Sequence, residues 1–559
     1  MQYNILIGGS AGQGLDTISD FLEKVIKKSG FHLFSNKDYM SRVRGGHNFI
    51  QIRFGENKVF AHKDKLDLIL ALDENTVLYH KDRLVKDGVI IADNGMKLDD
   101  DVILKLPLLE LAKGLGLSKA FTSVAAGVIL KYFSLEIEDV EKYFSNKLSE
   151  EIIKKNIEAV KLGYDLIESK YKAKGDDLSK YMLINGNNAI ALGAIAGGVN
   201  FYSAYPMTPA TSIMTYLAKK QTEIGIVVDQ AEDEIAAINF AIGASYAGAR
   251  AMTGSSGGGV SLMVEAFGLA GITETPIVVV DSQRPGPATG LPTRTEQSDL
   301  SFLLTAAQGE FPRAVISVRN AEDAFYKTVK ALNLADKYQT LVILLTDQYL
   351  ADANITVPKY DLANVKIENY ISNGEELLED EEYKRYKITE SGISPRMIPG
   401  NKRGETVLVD SDEHTEEAHI TEASDVRNAQ MEKRMKKLQL IKNEMEEPEF
   451  IGNEKLDILL VGFGSTYGAL KDAIDELTSE GKNIGALSFG DIYPLPEKTL
   501  RQYAKIAKKI INVEQNYTGQ LGKLITQETG ILMSNSILKY DGRQITGKEI
   551  VDKLRREEF

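Results

Sequence analysis

Short apolar runs alternate with amphipathic stretches and glycine-rich turns along most of this chain. Residues 3–7 and 66–72 are typical of buried strands, and the spacing of apolar positions over 16–28 predicts an amphipathic helix. The same succession of strand, glycine turn and helix returns at 455–477. Strands that alternate with helices form open, largely parallel sheets. The pattern therefore predicts an α/β fold with more than one core, because 559 residues exceed what a single core supports.

Breaks in this pattern divide the chain into three open α/β domains and one irregular insertion. We expect the first domain at 1–175, the second at 181–360 and the third at 451–559. Residues 361–450 are densely charged and irregular, apart from a predicted helix at 426–446. A long insertion of this kind is either an interaction arm or a solvated excursion, and the sequence leaves both interpretations open.

The most unusual stretch follows an apolar run at 224–228, which predicts a buried strand. An acidic turn of Glu232, Asp233 and Glu234 then leads into a helix made almost entirely of small and apolar residues. A helix N-terminus stabilises carboxylates through its unpaired N–H groups, so plain N-capping explains the turn. The other interpretation is a carboxylate aimed at a bound heterocycle. The backbone-exposing turn TGSSGGG at 253–259 favours this second interpretation.

Two further turns are candidates for ligand contacts. The glycine-rich turn at 8–14 lies between a strand and a helix, where exposed N–H groups either bind anions or serve tight packing. The turn YPMTPAT at 205–211 is held rigid by two prolines. Thr208 in that turn either presents its hydroxyl group to a ligand or caps the following helix.

Arginine side chains gather on loops next to predicted strands. Arg42 and Arg44 stand with His47 beside a Gly-Gly turn, and Arg284 and Arg294 lie on a proline- and glycine-rich loop after a strand. The guanidinium fork suits carboxylate and phosphate groups, and loops after the carboxyl ends of parallel strands are where α/β proteins bind ligands. Solvated basic loops are the alternative interpretation.

The overall charge and hydropathy exclude several classes of function. The 66 basic and 80 acidic residues give a net charge of −14, which argues against nucleic acid or an anionic membrane as a partner. No run approaches the roughly 18 apolar residues of a membrane span, and the first residues predict a strand rather than a signal peptide. We therefore expect a cytoplasmic protein. The six histidines show no metal-ligand spacing, so we expect no metal site.

Cysteine is absent from the chain. Its absence excludes disulfides, thiolate zinc sites and cysteine catalysis. The chain also cannot itself hold an iron–sulfur cluster that is ligated by cysteine. Electron transfer through such a cluster would need another polypeptide.

Four motifs, in their order along the chain, resemble the α subunit of 2-oxoacid:ferredoxin oxidoreductases. They are YPMTPAT, the stretch 230–259, GPATGLPTRTEQSDL and VEQNYTGQL. GGSAGQG and VRGGHN resemble the γ domain of the same family, here fused to the N-terminus as in 2-oxoglutarate synthase. The resemblance covers nearly the whole chain. It implies that the three α/β domains are a γ domain, a pyrimidine-type domain of thiamine enzymes and a transketolase C-terminal-like domain.

The resemblance implies an oxidoreductase that decarboxylates a 2-oxoacid on thiamine diphosphate. It passes two electrons through [4Fe-4S] clusters to ferredoxin and transfers the acyl group to coenzyme A. In such enzymes a glutamate contacts N1′ of the aminopyrimidine and favours the tautomer that removes the thiazolium C2 proton. By motif position this catalytic glutamate is Glu234, and Glu232 is the alternative. The motifs also imply cofactor contacts from Tyr205, Pro206, Gly254, Ser255 and Ser256.

Substrate contacts are implied in the same way. Thr208 and Arg294 match positions that bind the carboxylate and carbonyl groups of the 2-oxoacid. Arg44 stands where relatives that act on 2-oxoglutarate place a basic residue of the γ domain. Such a charge suits a second substrate carboxylate, which favours 2-oxoglutarate or a related 2-oxoacid. Pyruvate, branched-chain and aryl 2-oxoacids are the alternatives.

Two absences imply a partner. The chain lacks the G-D-G motif with which thiamine enzymes bind diphosphate and Mg²⁺, since GDD at 175–177 lies in a linker. It also lacks cysteine for a cluster. The resemblance therefore implies a β subunit that supplies both, in an (αβ)₂ hetero-oligomer. Two other interpretations stay open: a transketolase- or pyruvate-decarboxylase-like enzyme, which would still need G-D-G, and a non-catalytic interaction protein that retains the fold.

Overall fold

The structure is a computed structural model that describes residues 2–41, 45–144, 148–172, 174–375 and 382–556. The chain divides into two compact units, and elements are numbered in chain order. The first unit comprises Met1–Asn185 with Asp352–Lys359, and the second comprises Gly186–Ala351 with Tyr360–Phe559.

One mixed sheet organises the first unit. Its strands are β1 (Gln2–Ala11), β2 (His32–Asp38), β3 (Gly45–Gly55), β4 (Leu66–Ala71), β5 (Leu84–Asp93), β6 (Ile103–Leu106), β7 (Tyr181–Asn185) and β14 (Asn354–Pro358). Their order across the sheet is β6-β5-β4-β1-β3-β2-β14-β7. β1, β4, β5 and β6 run parallel, whereas β3 pairs antiparallel with β1 and places Gln2 opposite Gly55.

Helices cover this sheet because its apolar residues alternate between the two faces. The helices are α1 (Leu15–Lys28), α2 (Glu74–His80), α3 (Leu108–Gly114), α4 (Phe121–Tyr132) and α5 (Glu150–Tyr164). In β1, Ile5 and Ile7 join the large core formed with α1 and α4, whereas Leu6 joins a smaller cluster on the opposite face.

The boundary between the first and second predicted domains differs from the observed one. The strand at 181–185 was expected to open the second domain, but it pairs in the first sheet as β7, antiparallel to β14. β14, which we also expected within the second domain, pairs with β2. Short strands carry no mark of the sheet that they join, so this crossing of the chain is not visible in the sequence.

A second sheet lies at the centre of the second unit. Its strands are β8 (Phe201–Ala204), β9 (Val227–Gln230), β10 (Ala251–Ser255), β11 (Ile277–Gln283), β12 (Arg313–Ser317), β13 (Leu341–Asp347) and β18 (Asp491–Tyr493). Their order is β18-β12-β13-β11-β10-β8-β9. All neighbours among β8 to β13 run parallel. Every residue of β11 is buried, as expected for a central parallel strand covered on both faces.

A third sheet completes the predicted α/β architecture. Its strands are β15 (Glu449–Gly452), β16 (Ile458–Phe463), β17 (Ile484–Phe489), β19 (Lys509–Glu514) and β20 (Asn535–Leu538), in the order β15-β17-β16-β19-β20. The helices of the second unit are α6 (Gly186–Ala196), α7 (Thr211–Ile224), α8 (Glu234–Tyr246), α9 (Gly257–Val260), α10 (Val264–Ile272), α11 (Leu300–Thr305), α12 (Ala321–Tyr338), α13 (Gln348–Asp352), α14 (Ser424–Glu444), α15 (Tyr467–Ser479), α16 (Lys498–Ala504), α17 (Gln520–Thr529) and α18 (Gly547–Arg556). No helix in the described ranges is both long and apolar enough to cross a membrane.

The buried strand predicted at 224–228 is displaced. α7 continues to Ile224 and ends at Gly225, whose φ of 72° gives the left-handed conformation that closes many helices. β9 then starts at Val227, whose side chain is 55% exposed. The apolar run looked like a core strand, but it divides between a helix end and an edge strand, because β9 terminates the sheet.

The charged insertion packs against the second sheet's domain. The side chains of Tyr386, Arg385 and Met397 are buried. The Tyr386 hydroxyl group donates to the carbonyl of Thr273 at 3.2 Å, and the Tyr246 hydroxyl group donates to the carbonyl of Val407 at 2.7 Å. A solvated excursion is therefore the wrong interpretation for this part of the insertion.

Candidate active site

The candidate site lies at the carboxyl ends of three neighbouring parallel strands. Tyr205 follows β8, Glu234 follows β9 and Ser256 follows β10. The turns after these strands meet around the side chain of Ser255. Its Oγ atom lies 3.6 Å from Sδ of Met207 and 3.4 Å from Oε1 of Glu234. This edge is the usual ligand-binding position in an open α/β sheet.

Three successive acidic residues at the start of α8 have three different environments. Asp233 is the N-cap, and its carboxylate accepts a hydrogen bond of 2.8 Å from the backbone N–H of Ala236. Glu232 is exposed to solvent. Glu234 is the first residue of the helix, and its side chain is only 3% exposed. Capping is thus the task of Asp233, which leaves the Glu234 carboxylate directed towards the interior.

Glycine is required beside the Glu234 carboxylate. Ser255 donates to Glu234 through its hydroxyl group. A Cβ atom on Gly259 would lie 2.1 Å from the Ser255 oxygen and 2.4 Å from Oε1 of Glu234. These distances are far below a van der Waals contact, so only a residue without a side chain lets the two groups meet. The TGSSGGG turn therefore makes room for polar side chains from two elements.

The other predicted cofactor residues divide between packing and contact roles. Gly254 is buried, and a Cβ atom there would lie 2.8 Å from the hydroxyl oxygen of Tyr202, which makes it a packing glycine. Ser256 is buried, and its Oγ atom has no hydrogen-bond partner within the described ranges. Tyr205 is exposed and Pro206 is half-buried at the mouth of the site.

Neighbouring side chains hold the turn 205–211 through its backbone. Arg284 donates to the carbonyl of Thr208 at 2.7 Å, and Asn187 donates to the carbonyl of Pro209 at 2.8 Å. The Thr208 side chain is exposed. It does not cap the following helix, because the N-cap of α7 is Ala210, which makes no side-chain capping hydrogen bond. The capping interpretation of Thr208 is therefore wrong.

Of the two predicted substrate arginines, the structure describes Arg294 only. Arg294 is half-buried on the loop between β11 and α11. It lies next to Gly542, where an added Cβ atom would be 3.2 Å from the Cβ atom of Arg294. Arg42 and Arg44 lie outside the described residues. The contacts expected of Arg44 therefore stay a prediction.

His47, from the same predicted basic loop as Arg44, belongs to β3. Its Nε2 atom lies 2.8 Å from Nε2 of His80. Burial, together with the nearby charges of Arg83 and His47, lowers the pKa of His80 to about 3. Burial also lowers the pKa of His47, so both rings favour the neutral form, which weakens the case for an anion site at this part of the loop.

The glycine-rich turn at 8–14 is closed by one of its own side chains. Gln13 accepts a hydrogen bond of 2.6 Å from the N–H of Ser10 and donates to the carbonyl of Leu72 at 3.3 Å. A cavity of about 650 Å³ opens beside the turn. Asp73 and Asp93 line it, which disfavours a phosphate ligand. Of the two interpretations of this turn, the contacts favour packing.

Two functional candidates escaped prediction. Asp281 lies within the apolar strand β11, and Asp299 precedes α11. Each carboxyl group shifts the pKa of the other, so the two groups are neighbours behind the candidate site. An acidic residue inside the otherwise apolar run IVVVDSQ was the available signal. Among the residues that the structure describes, no group of three or more His, Asp or Glu side chains has a metal-binding arrangement.

Protein families match three segments of the chain. Residues 192–433 match the family described as pyruvate flavodoxin/ferredoxin oxidoreductase, thiamine diP-bdg. Residues 4–166 match the family described as pyruvate ferredoxin/flavodoxin oxidoreductase. Residues 456–550 match pyruvate:ferredoxin oxidoreductase core domain II. The second sheet and the candidate site thus belong to a thiamine diphosphate-binding domain.

Similar proteins match most or nearly all of the chain. The 2-oxoacid:ferredoxin oxidoreductase subunit alpha of Sulfolobus sp. is 33% identical over 99% of this chain and 96% of its own length. The 2-oxoglutarate synthase subunit KorA of Archaeoglobus fulgidus is 35% identical over 61% of this chain and 89% of its own.

A solved structure agrees over the whole fold. The 2-oxoglutarate:ferredoxin oxidoreductase of Magnetococcus marinus, solved with 2-oxoglutarate, coenzyme A and succinyl-CoA bound, superposes with a TM-score of 0.93 at 31% identity. The match covers 100% of this chain and 99% of that one. The chain belongs to the 2-oxoacid:ferredoxin oxidoreductases, enzymes of the EC 1.2.7 type, as an alpha subunit with an N-terminal γ-like domain.

Proposed function

We propose that this chain catalyses, together with a separate β subunit, the oxidative decarboxylation of 2-oxoglutarate or a closely related 2-oxoacid. The products are the acyl-CoA and CO₂, and the electrons pass to ferredoxin. The observation that supports this proposal most strongly is the buried Glu234 carboxylate, at the carboxyl ends of the strands of a thiamine diphosphate-binding domain. Support for 2-oxoglutarate comes from the full-length similarity to the Magnetococcus marinus enzyme.

The residues present fit the pyrimidine half of thiamine diphosphate. Glu234 and Ser255 offer a carboxylate and a hydroxyl group that already contact each other. Gly259 keeps the space beside them free. The buried Ser256 Oγ atom, without a partner in the described part of the chain, supplies a further polar group. An aminopyrimidine ring, with ring nitrogens and an amino group, offers partners for each of these atoms.

Glu234 has one task in this proposal. Bound thiamine diphosphate supplies the electron sink for decarboxylation. The Glu234 carboxyl group holds and exchanges a proton at N1′ of the pyrimidine, because it lies in a water-poor site at the positive end of α8. Ser255 and the Asp233 cap fix its direction. A proton-transfer group positioned in this way contributes roughly 10²–10⁴-fold to turnover.

Substrate recognition is assigned to the arginine-rich loops and the 205–211 turn. Thr208 presents its hydroxyl group to the 2-oxoacid, since Arg284 holds the backbone of that residue. Arg294 pairs with the carboxylate next to the reacting carbonyl. Arg44 pairs with the distal carboxylate, which pyruvate lacks.

The β subunit completes the enzyme. We propose that it binds the diphosphate and Mg²⁺, carries the [4Fe-4S] clusters, and joins this chain in an (αβ)₂ assembly in the cytoplasm. The absence of cysteine and of a G-D-G motif from the sequence supports this division of tasks.

The test is a set of 2-oxoacid assays on this chain co-expressed with its β subunit, using coenzyme A and a viologen dye as electron acceptor. We expect kcat/KM to be highest for 2-oxoglutarate among 2-oxoglutarate, pyruvate and a branched-chain 2-oxoacid. Glu234→Gln should lower kcat by about 10²–10⁴-fold. Glu232→Gln changes the same residue type two positions earlier, at an exposed site, and should have little effect.

Two outcomes would contradict this assignment. Near-normal turnover of Glu234→Gln would remove Glu234 from the reaction. Arg44→Ala should raise KM for 2-oxoglutarate and leave KM for pyruvate unchanged. If both constants change equally, the distal carboxylate is not bound by Arg44.

A further inference from the structure

Two carboxyl groups meet directly behind the candidate site. Asp281 lies on β11, and Asp299 lies immediately before α11. Their side chains are neighbours, since each carboxyl group shifts the pKa of the other. Asp281 is fully buried, and so is the Oδ2 atom of Asp299. Neither residue takes part in the reaction proposed above.

Asp281 lacks an ordinary hydrogen-bond donor. Over the described ranges of the chain, no N–H or O–H group reaches either of its oxygens, and none reaches Oδ2 of Asp299. Buried carboxylates without donors are rare, because removing a charge from water is strongly unfavourable. A proton on one group removes this difficulty, since a protonated acid donates to the neighbouring carboxylate. The contact between the two acids therefore indicates a shared proton.

The pair also supports the turn that faces Glu234. A Cβ atom on Gly257 would lie 2.4 Å from Oδ2 of Asp299, so this carboxyl group packs against the backbone of the turn. Asp281 is the cross-strand neighbour of Ser255 in the parallel pair of β10 and β11. Ser255 in turn donates to Glu234. The two acids thus lie behind the first three residues of the 255–259 turn, which include the Ser255 side chain that contacts Glu234.

We propose that Asp281 and Asp299 share one proton in the active enzyme, and that this proton-bridged pair positions the 255–259 turn against Glu234. The catalytic consequence rests on the function proposed above for Glu234, whereas the shared proton does not. Both aspartates are positioning residues, because they act through the turn.

The surrounding charges decide which acid holds the proton. Burial, and then the proximity of Asp299, raise the pKa of Asp281 well above its usual range. Burial also raises the pKa of Asp299, although the hydrogen bond with Asp281 and the charge of Arg284 act in the opposite direction. Burial raises the pKa of Glu296, on the same loop, to about 7. The charge of Arg284 therefore favours the proton on Asp281 and the negative charge on Asp299.

A shared proton makes stability depend on pH in a defined direction. The unfolded chain releases this proton near the ordinary aspartate pKa of about 4, whereas the folded chain retains it. Stability therefore falls as the pH rises above that value, until the folded pair also ionises. Asp281→Asn removes this dependence and keeps a donor of similar shape, because the amide group cannot ionise.

Thermal unfolding of the assembled enzyme against pH tests the shared proton. The difference in Tm, Asp281→Asn minus wild type, should increase steadily from about pH 5 to about pH 9. Asp475→Asn, which removes an exposed carboxylate on α15, is the matched control and should give a constant difference. A constant or decreasing difference for Asp281→Asn would overturn the proposal.

A bound cation is the competing explanation for two buried acids, and a chelator distinguishes it. With a shared proton, prolonged dialysis against a chelator should change the Tm of the wild type and of Asp281→Asn equally. A loss of Tm that occurs in the wild type alone would mean that a cation joins the two carboxylates. That result would overturn the shared proton.

Steady-state kinetics test the positioning role. Asp281→Asn should keep kcat within about threefold of the wild type, whereas Asp281→Ala removes the support of the turn and should lower kcat about tenfold or more. The alkaline limb of the kcat profile should move to higher pH in Asp281→Asn. Wild-type kcat in Asp281→Ala would overturn the positioning role. Failure of the Glu234 assignment would be visible separately, since the Tm profiles do not depend on activity.

Discussion

Gly259 is the residue at which the candidate site has the least room. Gly259→Ala would drive a methyl group into the Ser255 and Glu234 oxygens, 2.1 and 2.4 Å away. We expect kcat to fall by about tenfold or more because the carboxylate is displaced, with a stability loss of about 1–3 kcal/mol from overpacking. The measurements are kcat, half-saturation by thiamine diphosphate and Tm of the assembled enzyme.

Gly258 provides the matched control for this substitution. It lies in the same short helix, α9, and an added Cβ atom would approach nothing closer than the Ala288 carbonyl at 3.9 Å. Gly258→Ala should therefore be neutral, or stabilising by about 0.5–1 kcal/mol, because alanine loses less backbone entropy in a helix. Equal effects of the two substitutions would mean that the space beside Glu234 has no role in catalysis.

At the scale of single residues, the sequence predicted the kind of site better than its exact members. It singled out the acidic turn at 232–234 and the glycine-rich turn at 253–259, which follows one helix later along the chain. It named Glu234 by motif position and left Glu232 as the alternative, because the start of a helix is uncertain by one or two residues from sequence. Asp281 was not predicted, since an isolated acid in an apolar strand gives no information about its partner.

At the scale of elements, α14 is a densely charged helix that docks through buried charge. Lys433 and Lys437, both buried, pair with the buried Glu274, with 2.6 Å between Lys433 Nζ and Glu274 Oε1. Arg385 donates to the Glu274 carbonyl at 2.7 Å. Burial alone would raise the pKa of Glu274, but the two lysines hold it well below its usual range. One carboxylate therefore holds the helix against the second sheet's domain.

Loss of that carboxylate should release α14. Glu274→Gln leaves two buried ammonium groups without a counter-charge, so we expect a destabilisation of about 3–5 kcal/mol. Glu432→Gln, an exposed change on α14 itself, should stay within about 0.5 kcal/mol. Urea unfolding and limited proteolysis of residues 382–446 measure the two effects. A protected segment in Glu274→Gln would show that apolar packing alone retains the helix.

The same cluster also predicts acid sensitivity. The depressed pKa of Glu274 means that its contribution is complete above its ordinary value of about 4.5 and is lost as the pH falls towards the folded pKa. Release of α14 at low pH should therefore be steeper in the wild type than in Glu274→Gln.

From the sequence, α14 was predicted to within two residues at each end. Its buried face was not, because Glu274 lies more than 150 positions away in the chain.

At the scale of the whole molecule, the sequence predicted three α/β domains, and three sheets are present. The sequence could not predict which sheet each strand joins. β7 and β14 join the first sheet, and β18 pairs antiparallel with β12 although it lies between strands of the third sheet. Pairings of this kind depend on contacts between residues distant in sequence, which a local hydrophobic pattern does not encode.

Exposed apolar residues near the candidate site predict how the chain behaves alone. Val227 on β9, and Ile235 and Phe240 on α8, are each at least half exposed. Exposed apolar patches on a folded protein mark association surfaces. Without its β subunit, the chain should bind a hydrophobic dye and scatter light in solution. It should also be colourless and inactive with a 2-oxoacid and coenzyme A.

A pair of substitutions, Phe240→Ser and Leu362→Ser, distinguishes association through this surface from non-specific hydrophobic association. Both side chains are exposed, but Leu362 lies on the segment after β14. Phe240→Ser should reduce dye binding by the chain alone and weaken its co-purification with the β subunit, whereas Leu362→Ser should leave co-purification unchanged. A brown or active preparation of the chain alone would contradict the division of tasks between the subunits.

The cap of α8 fixes more than the start of a helix. Successive residues of an α-helix are rotated by about 100° around its axis. The N-cap aspartate before α8 therefore also sets the direction of the next side chain, that of Glu234. Deleting or inserting one amino acid between β9 and α8 would let a different acid begin the helix and swing Glu234 away from Ser255. The segment between β9 and α8 should therefore tolerate substitutions far better than insertions or deletions.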